Sequence, residues 1–258
     1  MAQTNRRWRV GNLVLLAVFG AALVVGGWAC EAGKAPAVAA AAPAAKAASA
    51  TQPAVKPIKA PIDRFEKVIV GFEKKDQAKA PPQGATLFVG SSSFAIWRDL
   101  EKDFADLPAI NRGFGGSTLP EVIHYARRII LPYRPSRIVV YCGENDVASG
   151  ASPELVLENF TRLVELVRRE LPGVKVWYLT MKLSQSRLKF RAAFERANAL
   201  IREFADRADD VGYIDIYTAL LKDGQPIEEM YLKDKLHMNR NGYERIIPVI
   251  LSALKKGT

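Results

Sequence analysis

The 258-residue chain is 49% hydrophobic and 25% charged, the composition of a globular protein with ample material for one core. Its net charge of +10 is uneven, with +6 of it carried before residue 63, and no basic stripe is interleaved with aromatic residues, so nucleic-acid binding is disfavoured. The only cysteines, Cys30 and Cys142, lack the spacing of a metal site and are not expected to pair.

Arg6, Arg7 and Arg9 precede 21 residues without a charge, Val10 to Cys30. That length exceeds the hydrophobic region of a signal peptide and suits a spanning helix, so residues 1–30 are expected to be a retained membrane anchor with its arginines in the cytoplasm. A cleaved signal segment is the alternative. A lipoprotein with Cys30 as the lipidated residue is another, although Trp28 spoils the processing site. Residues 31–62 follow as an Ala/Pro-rich linker. Residues 31–61 hold 14 Ala, 5 Pro and 4 Lys, too little apolar bulk to fold alone and enough proline to stay semi-extended.

The domain is expected over 63–258. An amphipathic lead-in helix, "IDRFEKVIVGFEKKD", ends at "APPQG". Strands are predicted at 86–90, 109–112, 137–142, 174–180 and 213–216. Helical stretches lie between them near 94–103, 118–130, 152–170 and 187–208, with a last helix over about 240–255. "RIVVYC" and "VKVWYL" are almost continuously apolar, as strands covered by helices on both faces must be. Alternation of strand and helix predicts an α/β fold with a parallel sheet and right-handed crossovers. Cys142 reads as a small core residue, Ser152 and Pro153 as a helix start, and Pro248 as a kink in the last helix.

In such a sheet, the loops after the strands gather at one edge. Here they read "GSSS", "NRGFGGST" and "GEND", and after a longer excursion "YLKDKLHMNRNGY". Each alone is an ordinary turn; together they form a chemical set. A serine hydroxyl needs an adjacent base to become a nucleophile, and His237 is one of only two histidines. Asp234 lies three residues earlier, within reach to orient the imidazole. The oxyanion formed on attack needs preorganised donors: the Ser92 N–H, a glycine N–H of the second loop and the Asn145 amide. Glycines at 115 and 116 would let backbone approach substrate closely.

The ordered set Ser92, Gly116, Asn145 and His237 resembles the SGNH (GDSL-like) hydrolases, over about Phe65 to Leu254, and looks closest to the branch whose first block reads GSSS. The resemblance implies a flavodoxin-like three-layer α/β/α sandwich with a five-stranded parallel sheet. It also implies a Ser92–His237–Asp234 triad and an oxyanion hole of Ser92, Gly116 and Asn145, with no metal or organic cofactor. Most members carry Asp before the nucleophile; Ser91 stands there in this chain, so the bracing role of that Asp must be filled otherwise. Ser93 is expected to cap the helix that follows.

Other polar residues are weighed too: His124 reads as a packing or surface residue, Asp146 as a loop brace, Glu144 as a solvated loop carboxylate with a substrate contact as the alternative, and Arg112 as either an ion-pair partner or a contact for an anionic substrate. The function expected is a serine ester hydrolase, membrane-tethered and facing the periplasm or cell exterior, acting on an O-acetyl group of an envelope glycan. A lipid-type esterase and an O-acetyltransferase using the same triad are alternatives, and a non-catalytic envelope-binding module is a third. The oligomeric state is not encoded in any recognisable motif.

Overall fold

The computed structural model describes residues 62–256. Five short apolar strands pair into one parallel sheet: β1 (Thr86–Gly90), β2 (Ala109–Gly113), β3 (Arg137–Tyr141), β4 (Lys175–Leu179) and β5 (Val211–Ile214), in the order β2-β1-β3-β4-β5. Alternate side chains serve opposite faces, as the pleat requires. Leu87, Val89, Ile138, Val140, Val176 and Tyr178 enter one core, while Phe88, Val139, Tyr141, Trp177, Leu179 and Ile214 enter the other.

Helices cover both cores. On the first lie α1 (Glu66–Ala78), α4 (Leu119–Ile129), α6 (Pro153–Glu170) and α7 (Arg191–Ala205), contributing Ile69, Val122, Phe160 and Ile201. On the second lie α2 (Ser92–Ala95), α3 (Leu100–Asp103) and α8 (Arg240–Lys256), contributing Phe94, Leu100 and Ile250. The short α5 (Glu144–Ala148) follows β3. This is the expected three-layer α/β/α sandwich. Ser152 caps α6 by accepting the Leu155 N–H at 3.2 Å, ahead of Pro153 in the first turn. Pro248 lies inside α8. Cys142 is buried, as read from its strand.

Four elements depart from the sequence reading. The stretch 94–103 is two single turns rather than one helix, because Asn111 Nδ2 takes the Phe94 carbonyl at 2.7 Å and reaches that of Trp97 at 3.4 Å, ending the first turn from the neighbouring strand. The fifth strand begins two residues earlier than predicted and stops at Ile214. There the Thr180 hydroxyl accepts the N–H groups of Ile216 and Tyr217, both at 2.9 Å, and draws the chain off the sheet. The lead-in segment opens as a 3₁₀ turn, Ile62–Phe65, before α1, and a second one, Gln185–Phe190, precedes α7. A two-stranded hairpin, β6 (Leu221–Lys222) with β7 (Gln225–Pro226), occupies the excursion after β5.

The expected anchor, 1–30, and the expected linker, 31–62, apart from its last residue, lie outside the described residues. Among the described residues, no helix is long and apolar enough to cross a membrane.

Strand order decides which loops meet. β1 is flanked by β2 and β3, so Gly90 stands opposite both Gly113 and Tyr141. The chain leaves β1 to either side of that point, where open α/β sheets form their ligand crevice. "GSSS", "NRGFGGST" and "GEND" therefore emerge side by side.

Candidate active site

Ser92 is the first residue of α2, half-buried at the end of β1. The turn is pinned from below by Ser91 N–H, which donates to the Tyr141 carbonyl at 2.9 Å. It also rests directly on β2. A methyl group added at Gly113 would stand 2.5 Å from the Ala95 nitrogen and 2.6 Å from Phe94 Cβ, so only glycine admits the turn there. The serine roles need one correction. Ser91, not Ser93, occupies the cap position, because the helix starts at Ser92. Ser93 is inside the turn, buried, with a hydroxyl that has no hydrogen-bond partner of ordinary geometry.

The glycine loop closes on the serine. A Cβ at Gly115 would lie 3.8 Å from Ser92 Cβ, in van der Waals contact. Gly116 follows with φ of 84°, and its carbonyl accepts Arg64 Nη2 at 3.0 Å. Arg64 also pairs with Glu121 at 2.5 Å, and Glu121 reaches back to the Thr118 N–H at 2.9 Å, a capping box that opens α4. Among the described residues, neither the Ser92 N–H nor the Gly116 N–H has a hydrogen-bond partner.

Asn145 lies in the first turn of α5, after Gly143 with φ of 126°. Its Nδ2 donates one hydrogen to the Ser117 carbonyl at 3.0 Å, which fixes the amide and leaves its second N–H unused. Asp146 braces the same turn, with Oδ1 accepting the Leu119 N–H of α4 at 3.0 Å. Burial raises the Asp146 carboxyl to about 7, against the opposing effect of that hydrogen bond.

Asp234 and His237 form one unit. Asp234 Oδ2 lies 2.6 Å from His237 Nδ1, while Oδ1 accepts the backbone N–H groups of Leu236 at 2.9 Å and His237 at 3.0 Å. Burial alone would raise this carboxyl, but the donors outweigh it and hold it at about 2. With Nδ1 taken by the carboxylate, Nε2 is the ring nitrogen left for chemistry. No hydrogen bond joins it to Ser92 Oγ in this structure. The two segments are nonetheless packed together: Tyr243, six residues beyond His237, donates its hydroxyl to the Ser93 carbonyl at 2.8 Å and stacks on Trp97 with ring centroids 4.4 Å apart.

Beside His237 lies a cleft of about 470 Å³ lined by Ile96, Trp97, Leu232, Met238 and Tyr243. Ile96 and Leu232 are 38% and 45% exposed. Another cleft, about 400 Å³ at the opposite ends of β3 and β4 with Ser136, Arg137 and Lys175 in its walls, holds none of these groups. Among the described residues, no three His, Cys, Asp or Glu side chains are placed to hold a metal ion.

The remaining polar residues sort by burial. His124 is exposed, edge-on to Tyr125 and 3.9 Å from Asp63. Arg112 is an ion-pair partner, bonded to Asp76 and donating to the Tyr133 hydroxyl at 2.6 Å. Glu144 is a correction: it is 7% exposed, not solvated, and bonded to Tyr141 and Lys182. Lys182, itself 1% exposed, escaped sequence reasoning; the only signal was a lysine set between Met181 and Leu183, three residues past the strand, in "YLTMKLS".

Residues 83–245 match the GDSL-like Lipase/Acylhydrolase family. No curated protein matches the chain. Among solved structures, a GDSL-like lipase from Bacteroides thetaiotaomicron is 20% identical with a TM-score of 0.62, covering 76% of this chain and 100% of that one. The lipase/acylhydrolase from Enterococcus faecalis is 20% identical at 0.54, covering 67% and 96%. A mutant acetyl-xylooligosaccharide esterase from Geobacillus Stearmophilus is 14% identical at 0.55, covering 66% and 94%. At these identities the likeness is one of fold.

Proposed function

We propose, for a chain that belongs to the GDSL-like lipase/acylhydrolase family, that it is a serine ester hydrolase working through Ser92, His237 and Asp234. The observation that carries the reading is the Asp234–His237 pair, which occupies Nδ1 and presents Nε2 on a segment bonded to the serine turn. Ser92 Oγ attacks the ester carbonyl while His237 Nε2 takes its proton. The oxyanion is received by the unpartnered N–H groups of Ser92 and Gly116 and by the free N–H of Asn145. Collapse expels the alcohol, which takes the proton from His237, and water then repeats the sequence on the acyl-enzyme.

The substrate proposed is an O-acetyl group on an envelope glycan, reached by a domain tethered outside the cytoplasm through residues 1–30. An acetyl-xylooligosaccharide esterase of the same fold supports a small acyl group. A second reading, an ester with a longer apolar acyl chain, is favoured by the exposed Ile96 and Leu232 beside His237.

A fluorophosphonate probe should label Ser92 alone, and His237→Ala should abolish labelling. A label on Ser91 or Ser93 would overturn the assignment. Acetyl, butyryl and octanoyl nitrophenyl esters, with and without a sugar acceptor, separate the acyl classes and distinguish hydrolysis from transfer. Mass spectrometry of membrane-extracted protein should find an N-terminus before Val10; a chain starting at a lipid-bearing Cys30 would replace the anchor with a lipoprotein.

A further inference from the structure

Behind the serine turn lies a buried polar cluster that the proposed chemistry does not use. Lys182 Nζ is 3.2 Å from both Glu144 carboxylate oxygens and 3.2 Å from the Tyr141 hydroxyl. The Lys182 backbone N–H donates to Glu144 Oε1 at 3.1 Å, and the Tyr141 hydroxyl donates to the same oxygen. All three residues are less than a tenth exposed.

Such a cluster is an expensive way to fill a core. Taking two charges out of water costs several kcal/mol each before their attraction is counted, and apolar side chains of similar volume often serve stability equally well or better. What the charges provide is a fixed direction. Glu144 is the residue before Asn145, so the three donors on its carboxylate set where α5 begins. Tyr141 carries the other end: its carbonyl holds Ser91 N–H at 2.9 Å, and its ring packs on that of Phe94 with centroids 5.8 Å apart. One cluster thus touches the serine turn before and after Ser92 and includes the residue next to Asn145.

We propose that Lys182, Glu144 and Tyr141 are positioning residues that fix the Asn145 amide relative to the Ser92 N–H, so that the oxyanion donors keep their spacing before substrate arrives. The proposal rests on the ester-hydrolase reading above. Displacement of a catalytic group by about 1 Å can cost about 10²-fold in rate, so a cluster of this kind acts on kcat and hardly on substrate binding.

The test compares full-length wild type, Tyr141→Phe and the double variant Lys182→Met/Glu144→Met in three measurements: kcat and KM on a nitrophenyl ester, the rate of fluorophosphonate labelling at Ser92, and the melting temperature. Tyr141→Phe removes one hydroxyl and keeps the ring; kcat and labelling rate should fall about 10- to 100-fold with KM within about two-fold. The double variant replaces both charges with side chains of similar length, so its melting temperature should stay near wild type while kcat remains depressed. Recovery of kcat along with stability, or Tyr141→Phe at wild-type kcat, would make the cluster structural only and overturn the proposal. Should the double variant fail to fold, Tyr141→Phe decides alone. Wild type that neither labels nor turns over ester overturns the hydrolase reading and this proposal with it. Active wild type with unimpaired variants overturns this proposal only.

Discussion

Asn145→Ala separates a turn-forming asparagine from an oxyanion donor, because the structure gives its amide two different tasks. One N–H is spent on the Ser117 carbonyl at 3.0 Å, and losing that bond removes about 1 kcal/mol of net stability. For a domain of this size, that lowers the melting temperature by roughly 2–4 °C. A protein with even 5 kcal/mol of stability, reduced to about 4, stays more than about 99% folded at assay temperature, so the structural loss cannot slow turnover measurably. The second N–H is free. If it meets the oxyanion, its removal costs about 10²–10³ in kcat, roughly 3–4 kcal/mol, with KM nearly unchanged.

The two effects therefore differ by about two orders of magnitude in the observable, and steady-state kinetics on a nitrophenyl ester, paired with a thermal melt, resolves them. Asn145→Asp sharpens the result. A carboxylate oxygen in place of Nδ2 would face the Ser117 carbonyl without a hydrogen between them and would repel the developing negative charge, so kcat should fall at least as far as in the alanine variant. A variant that melts a few degrees lower with kcat within about three-fold of wild type refutes the oxyanion role and leaves Asn145 as a turn residue.

Two further outcomes follow from the same geometry. Burial holds the Asp146 carboxyl at about 7, above its ordinary 3.8, so the folded protein binds more protons than the unfolded chain across that interval. Its contribution is complete below pH 3.8 and lost as pH rises to 7, amounting to about 4 kcal/mol at most. Asp146→Asn, which can still accept the Leu119 N–H, should raise the melting temperature most at pH 8, by less than half as much at pH 5 and hardly at all near pH 3.8; equal shifts at pH 5 and pH 8 would refute the buried-carboxyl argument. Gly113→Ala should disturb the serine turn, because the added methyl meets the Ala95 nitrogen at 2.5 Å. A loss of several kcal/mol in stability together with slower fluorophosphonate labelling is expected, and a stable, fully reactive variant would mean that α2 does not depend on that contact.

The sequence disclosed most of the sheet and the loops that the sheet gathers at one edge. "RIVVYC" and "VKVWYL" are buried on both faces, so their apolar runs mark β3 and β4 to within a residue or two. Ser92 and Asn145 open short helices directly beyond β1 and β3, and Asp234 and His237 sit in the loop before α8, where these residue types have little local purpose beyond a turn. Boundaries fixed from elsewhere were invisible: Asn111 ends the turn at Phe94 from seventeen residues away, and the Thr180 hydroxyl stops β5 from thirty-six.

Glu144 shows why a buried pair is harder to read than a polar loop. A loop carboxylate beside Asn145 and Asp146 belongs in water on every local criterion, since an unpaired buried charge is among the costliest groups a fold can hold. That expectation reverses only when Lys182, thirty-eight residues later, arrives at 3.2 Å in a volume neither could occupy alone. Neither residue's neighbours encode the pairing. It follows from β3 and β4 being adjacent strands, with Val140 opposite Tyr178, so that both residues emerge at the same edge of the sheet. A polar residue in a loop announces itself by type and place, whereas a buried ion pair such as this exists only once the strands have paired.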